Sequence, residues 1–231
     1  MTSFDPPQLG ILMLDSRFPR ILGDVGNPAT WPFPVRYRTV PGATPESVVT
    51  PDPTPFLKAF IKEGEMLVEE GCTGIATTCG FLGPMRTELS RALGVPVATT
   101  ALEQGPQIIA TLPRDRRVGI LTISAESLVT AHLVAAGLPP DTAIEGMEGT
   151  AFAHSILGNR PELDVPGARR EMAVAARRLV STHTEVGALI LECTNMAPYA
   201  FDVAAEVGMP VFSIYSYLTW FQAGLSPHAF R

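Results

Sequence analysis

The chain repeats itself. IATTCGFLGPMRTELSRALGVPV and LILECTNMAPYAFDVAAEVGMPV stand in one frame at an offset of 114 residues. In that frame Cys79 meets Cys193, Pro84 meets Pro198, Gly94 meets Gly208 and Pro96 meets Pro210. Each copy reads as a strand, a cysteine-bearing loop, an amphipathic helix, a glycine stop and a second strand. Upstream, Gly10-Ile11-Leu12 meets Gly119-Ile120-Leu121 at an offset of 109, so the whole unit occurs twice with small insertions. Such a repeat constrains the fold strongly, because like units bury their apolar faces by packing together. Two of them are expected to sit about an approximate two-fold axis.

The elements follow the repeat. LGILMLDS (residues 9–16) is an apolar run closed by polar residues, the pattern of a buried strand. Residues 56–70 place Phe56, Phe60, Ile61, Leu67 and Val68 near one helical face, with Gly71 as the stop. A strand at 73–78, helical spacing over 82–93 and a strand from Gly94 complete the first cycle. RRVGILTIS opens the second, with Ser124 as helix N-cap, Glu126 in the first turn and Gly137 as stop. A helix over 167–183 and the strands in GALILECTNM and GMPVFSI close it. Strands alternating with helices predict an α/β fold with mainly parallel sheets. The lobes are expected at 1–105, completed by 211–231, and at 106–210. The proline-rich segment 18–55 shows little helical pattern, though VRYRTV suits an edge strand. Long segments of this kind are often functional lids.

The repeated cysteines carry the chemistry. In open α/β sheets ligands bind beyond the carboxyl ends of the strands. Cys79 and Cys193 lie at such ends, each ahead of a helix, so two-fold packing brings both to one cleft. Helix N-termini offer unpaired N–H groups and partial positive charge. The expectation is a thiol pKa below the free value, with Pro84 and Pro198 in the opening turns. Two thiols on opposite faces of one carbon supply a base on one side and an acid on the other. Backbone N–H groups can bind the carboxylate and stabilise the charge that develops. Cys72 has no cysteine partner in the repeat, its counterpart being Val186, and reads as core.

Other classes are disfavoured. With a net charge of −6 and no basic block, the chain is a poor candidate for nucleic acid or anionic membrane. No apolar run reaches the roughly 18–20 residues of a membrane span. MTSFDPPQLG lacks the basic-then-apolar pattern of a secretory signal, and three cysteines do not make a disulfide framework. A cytoplasmic location is therefore expected, with a homo-oligomer left open. The four histidines show no metal spacing with the cysteines, and no dinucleotide or Walker pattern occurs. Neither metal nor organic cofactor is expected.

The motifs ATTCGF and LECTNM, with the repeat, resemble the aspartate/glutamate racemase superfamily, which includes hydantoin racemases, maleate isomerases and arylmalonate decarboxylases. The resemblance covers most of the chain and implies two lobes, each with a four-stranded parallel sheet, around one site. It makes Cys79 and Cys193 the catalytic pair. It puts Asp15 and Ser16 near the substrate and Thr78, Gly80, Thr194 and Asn195 beside its carboxylate. Thr122 and Ser124, which follow the repeat of the first strand, are placed along the same cleft, and Phe81 suggests an apolar pocket. Gly80-Phe81 stands where glutamate racemases carry Asn-Thr. Asn195 replaces their histidine, and Cys-Thr-Asn is closer to the maleate isomerase pattern. The resemblance thus implies a cofactor-independent racemase or epimerase of a small carboxylic acid, an amino acid or derivative. A cis–trans isomerase working through a cysteine adduct, or a non-catalytic binder of small acids, is the alternative. A decarboxylase is disfavoured because that branch keeps one cysteine only.

Overall fold

A computed structural model describes residues 8–230. Met1–Pro7 and Arg231 lie outside the described residues, and with them most of the N-terminal stretch read for a secretory signal. β1 (Leu9–Leu14) is buried along almost all its length, as strands covered on both faces must be. It pairs in parallel with β2 (Val35–Val40) on one side and β3 (Gly74–Thr77) on the other, and β3 pairs with β4 (Val97–Ala98). In the second half β5 (Arg117–Thr122) lies between β6 (Ala143–Gly146) and β7 (Val186–Leu191), and β7 pairs with β8 (Val211–Phe212). The orders β2-β1-β3-β4 and β6-β5-β7-β8 are the same, and every pairing is parallel. The α/β architecture with two four-stranded sheets is therefore as the repeat and the resemblance imply. VRYRTV is β2, an edge strand inside the proline-rich segment.

The first half contains α1 (Pro45–Val48), α2 (Leu57–Glu69), α3 (Arg86–Leu93) and α4 (Gly105–Thr111); α2 and α3 pack on the first sheet, and α4 packs on β5 of the second. The second carries α5 (Thr130–Ala135), α6 (Ala151–Leu157), α7 (Val165–Thr182) and α8 (Ala200–Val207). The chain closes with α9 (Ile214–Leu225). α2 buries Phe60, Gly64 and Leu67, a stripe at helical spacing. The repeated glycines have a backbone reason. Gly94 (φ 68°) and Gly208 (φ 66°) end α3 and α8 in the left-handed conformation, each N–H returning to a carbonyl of its helix.

The helix expected to start at Ser124 starts at Thr130 instead. Ser124 closes a turn, its Oγ accepting from Ser127 N at 3.2 Å and its carbonyl from Leu128 N at 3.2 Å. That turn drives Leu128 into the core before the helix begins. α9 packs against the first sheet, with Phe221 and Leu225 over Gly74 on β3. Tyr217 Oη donates to Glu103 Oε2 at 2.7 Å and Gln104 Nε2 to the Ser213 carbonyl at 3.0 Å. Among the described residues, no helix is long and apolar enough to cross a membrane.

Candidate functional site

β3 and β7 hold the same place in their sheets, and each leads into a cysteine. After Cys79 and Cys193 the chain enters short 3-10 turns, Gly80–Met85 and Thr194–Tyr199, ahead of α3 and α8. Pro84 and Pro198 sit within these turns, one step earlier than the helical opening expected for them. The two turns meet across the lobes: Thr194 Oγ1 donates to the Thr78 carbonyl at 2.7 Å. Both cysteines consequently line one cavity, together with Thr78, Gly80, Phe81, Thr194 and Asn195. Leu14, Phe18, Pro45 and Val49 line it too, three of them from the proline-rich segment. The cavity is small, about 310 Å³ including the part open to solvent.

Four expected site residues do not line this cavity. Asp15 is exposed, where its carboxylate accepts from Gly42 N at 3.1 Å and its carbonyl from Asn159 Nδ2 at 3.1 Å. Ser16 Oγ accepts from Arg20 Nη2 at 2.8 Å. Ser124 faces a separate groove beside Glu148, Thr150 and His154. Thr122 is fully buried and acts one step back, donating through Oγ1 to Glu192 Oε2 at 2.7 Å.

Glu192 is the main residue that sequence reasoning missed. It ends the apolar run of β7, is completely buried and lines the cavity with both cysteines. Its Oε2 is held by Thr122, while Oε1 is buried without a hydrogen-bond partner. Burial pushes the carboxyl up from 4.5 to about 7, against the pull of the Thr122 hydroxyl. The only sequence signal was a carboxylate in an otherwise apolar strand, since a buried acid needs a specific reason to be there.

The thiols also differ from expectation. Burial, and after it the Glu192 charge, pushes Cys79 up to about 12, although the Phe81 N–H and the Arg20 guanidinium pull the other way. Cys193 is raised well above its ordinary value by the same two causes, against the Asn195 N–H. The turn N–H groups do act on the sulfurs as expected. They are outweighed because burial strips water from the sulfurs and a carboxylate stands nearby.

A polar chain runs outward from Cys193. Its Sγ is 3.7 Å from Asn195 Oδ1, and Asn195 Nδ2 donates to Asp24 Oδ2 at 2.7 Å. Asp24 is ion-paired with Arg20 at 3.0 Å. Arg20 and Asp24 lie in the proline-rich segment, where neither periodicity nor the repeat marks them. Among the described residues, no three His, Cys, Asp or Glu side chains converge to hold a metal ion.

Glu192 also ties stability to pH. Its folded pKa of about 7 exceeds the ordinary 4.5, so between those values the folded chain holds a proton that the unfolded chain has lost. This contribution is complete below about 4.5 and is lost as pH rises through about 7. In urea titrations, the wild-type midpoint should therefore fall from about pH 5 to about pH 7.5 more than that of Glu192→Gln. Parallel profiles for the two proteins would contradict the assignment.

The architecture and the site geometry can now be set beside known proteins. No family model matches the chain. The fold is that of the aspartate/glutamate racemase superfamily. A crystal structure of arylmalonate decarboxylase superposes with a TM-score of 0.62 at 16% identity, over 96% of this chain and 94% of that one. Glutamate racemase from Francisella tularensis, in complex with D-glutamate, superposes with a TM-score of 0.60 at 14% identity, over 97% of this chain and 85% of that one.

The curated sequence relatives are of another kind. A dimethylsulfoniopropionate lyase from Durusdinium sp. clade D is 28% identical over 212 residues, 88% of this chain and 70% of the relative. Dimethylsulfoniopropionate lyase 3 from Emiliania huxleyi is 30% identical over 218 residues, 90% of this chain and 57% of the relative. The chain thus spans 70% of the length of the first relative and 57% of the second. This finding overturns the expectation of an amino-acid racemase or epimerase, and its isomerase and binder alternatives with it. The physical reason for the error is that the paired cysteines speak for proton removal beside a carboxylate, not for what happens next at the neighbouring carbon.

Proposed function

We propose that the chain is a carbon–sulfur lyase acting on a small β-sulfonium carboxylate such as dimethylsulfoniopropionate. The reading is carried by one observation: two thiols and a carboxylate, all three buried, line a single cavity. The names of the sequence relatives supply the substrate class.

In this reading the substrate carboxylate is received by the first N–H groups of the two cysteine turns, which also stabilise the enediolate as it forms. A thiolate of the Cys79/Cys193 pair removes a proton from the carbon next to the carboxylate. The electron pair of that C–H bond becomes the carbon–carbon double bond. The pair of the breaking C–S bond leaves with the sulfur as neutral dimethyl sulfide, and the remaining fragment is acrylate. The proton stays on the cysteine sulfur and later returns to solvent. A neutral leaving group needs no acid to protonate it, so one base suffices. The apolar side chains of Phe18, Pro45 and Val49 limit water beside the reacting groups, which strengthens charge interactions there. A thiol that serves as base must stay reduced, so the activity belongs in a reducing compartment such as the cytoplasm.

The purified protein is accordingly expected to convert dimethylsulfoniopropionate into equal amounts of dimethyl sulfide and acrylate, read by headspace gas chromatography and by proton NMR. Deuterium uptake at the α carbon in heavy water, with no sulfide released, would overturn the reading.

A further inference from the structure

We propose that Glu192 is the counter-ion for a positively charged group on the substrate, so that the site selects onium carboxylates over uncharged acids of the same shape. The proposal rests on the lyase reading for the identity of the site, and it names the feature of the substrate that the site recognises.

Glu192 has the placement this requires. It is completely buried, borders the cavity and has one carboxylate oxygen, Oε1, without a partner. Among the described residues, no cation forms an ion pair with it. Thr122 is its hydrogen-bond donor, and the Arg20 guanidinium is engaged by Asp24 and Ser16. A buried charge lacking a partner is costly, and a positive group brought in by a ligand removes that cost. Oε1 packs closely against the Gly80 backbone, where a Cβ would overlap it, so glycine at 80 is what allows the carboxylate its place in the wall. The charge is one-sided, because in the repeat Glu192 stands opposite Thr78. One end of a bound zwitterion can therefore be told from the other.

Cation binding has a chemical consequence. After burial, the Glu192 charge is the largest effect opposing ionisation of both thiols. An onium group beside it offsets that charge and favours thiolate, so the base forms when the right substrate arrives. The positive charge vanishes as neutral sulfide departs. The attraction is therefore felt by bound substrate more than by the late transition state, and its loss should raise KM more than it lowers kcat.

The test uses an isosteric pair that differs in charge alone, 3-(trimethylammonio)propionate and 4,4-dimethylpentanoate, with binding measured by calorimetry. The wild type is expected to bind the cationic member at least about tenfold more tightly. Glu192→Gln should bring the two affinities to within about threefold, the loss falling on the cationic ligand. Glu192→Asp keeps the charge, should keep the preference, and serves alone if circular dichroism shows that the Gln variant is unfolded. Equal or weaker binding of the cation by the wild type, a preference intact in the Gln variant, or its absence in a folded Asp variant would overturn the proposal. A Glu192-dependent preference without sulfide release sinks the lyase reading and leaves the counter-ion standing. Sulfide release with a preference indifferent to Glu192 does the reverse.

Discussion

Serine in place of the basic cysteine is expected to lower kcat/KM for dimethyl sulfide release by about 10²–10⁴-fold, whereas serine in place of the other costs no more than about tenfold. The asymmetry follows from the reaction. Inversion at carbon needs an acid and a base on opposite faces, so loss of either thiol stops it. Elimination with a neutral leaving group needs the base alone. Both Cys79 and Cys193 border the same cavity, and each is followed by the N–H groups of a short turn. The geometry treats the two sulfurs alike, and only kinetics on the single variants separates them. Equal and complete loss in both variants would favour a two-base mechanism. Unchanged rates in both would remove the thiols from the chemistry.

Gly80→Ala is expected to cost about 1–3 kcal/mol of stability and to abolish turnover. The added Cβ would overlap Glu192 Oε1 and lie 2.7 Å from the Glu192 carbonyl oxygen. The backbone atom cannot yield without moving the end of β7, which positions Cys193. If the side chain yields instead, Glu192 loses its hydrogen bond from Thr122 and its place in the cavity wall. Gly83→Ala is the control, since a Cβ there comes no nearer than 3.3 Å, to the Thr100 methyl. Urea denaturation and steady-state rates on the two variants test this. Equal stability and activity for both would show that the close approach at Gly80 has no functional weight.

Much of the fold was legible because the repeat and the physics of its punctuation agree. Gly94 and Gly208 are needed where α3 and α8 must turn left-handed, and Leu9–Leu14 is apolar throughout because β1 is covered on both faces. The α5 start was misplaced because Ser124 is as good a turn closer as a helix cap, and only the burial of Leu128 decides between the two.

The site was legible where it follows the repeat and obscure where it breaks it. The seven cavity-lining residues foreseen, from Thr78 to Phe81 and from Cys193 to Asn195, all belong to the repeated motif. Glu192 has no acidic counterpart in the other copy. Arg20 and Asp24 lie in a segment without any counterpart, and their pairing with Asn195 is visible only once the lobes are together. The expected low thiol pKa failed for a related reason. The turn N–H groups can be inferred from sequence, but the burial of the sulfurs cannot.

The reaction itself could not be read from the motif. Abstraction of a proton beside a carboxylate is the opening step of both racemisation and elimination, and the substituent on the next carbon decides between them. In the proposed reading that substituent meets Glu192, a wall residue that the repeated cysteine motif does not mark.

Dimethylsulfoniopropionate carrying two deuterium atoms on the carbon beside the carboxylate offers the most direct measurement. If a cavity thiolate opens the reaction there, the acrylate formed holds one deuterium, as mass spectrometry would show, and its release slows relative to undeuterated substrate. Acrylate formed at the same rate from both substrates, or a cysteine adduct that retains both deuterium atoms, would contradict it.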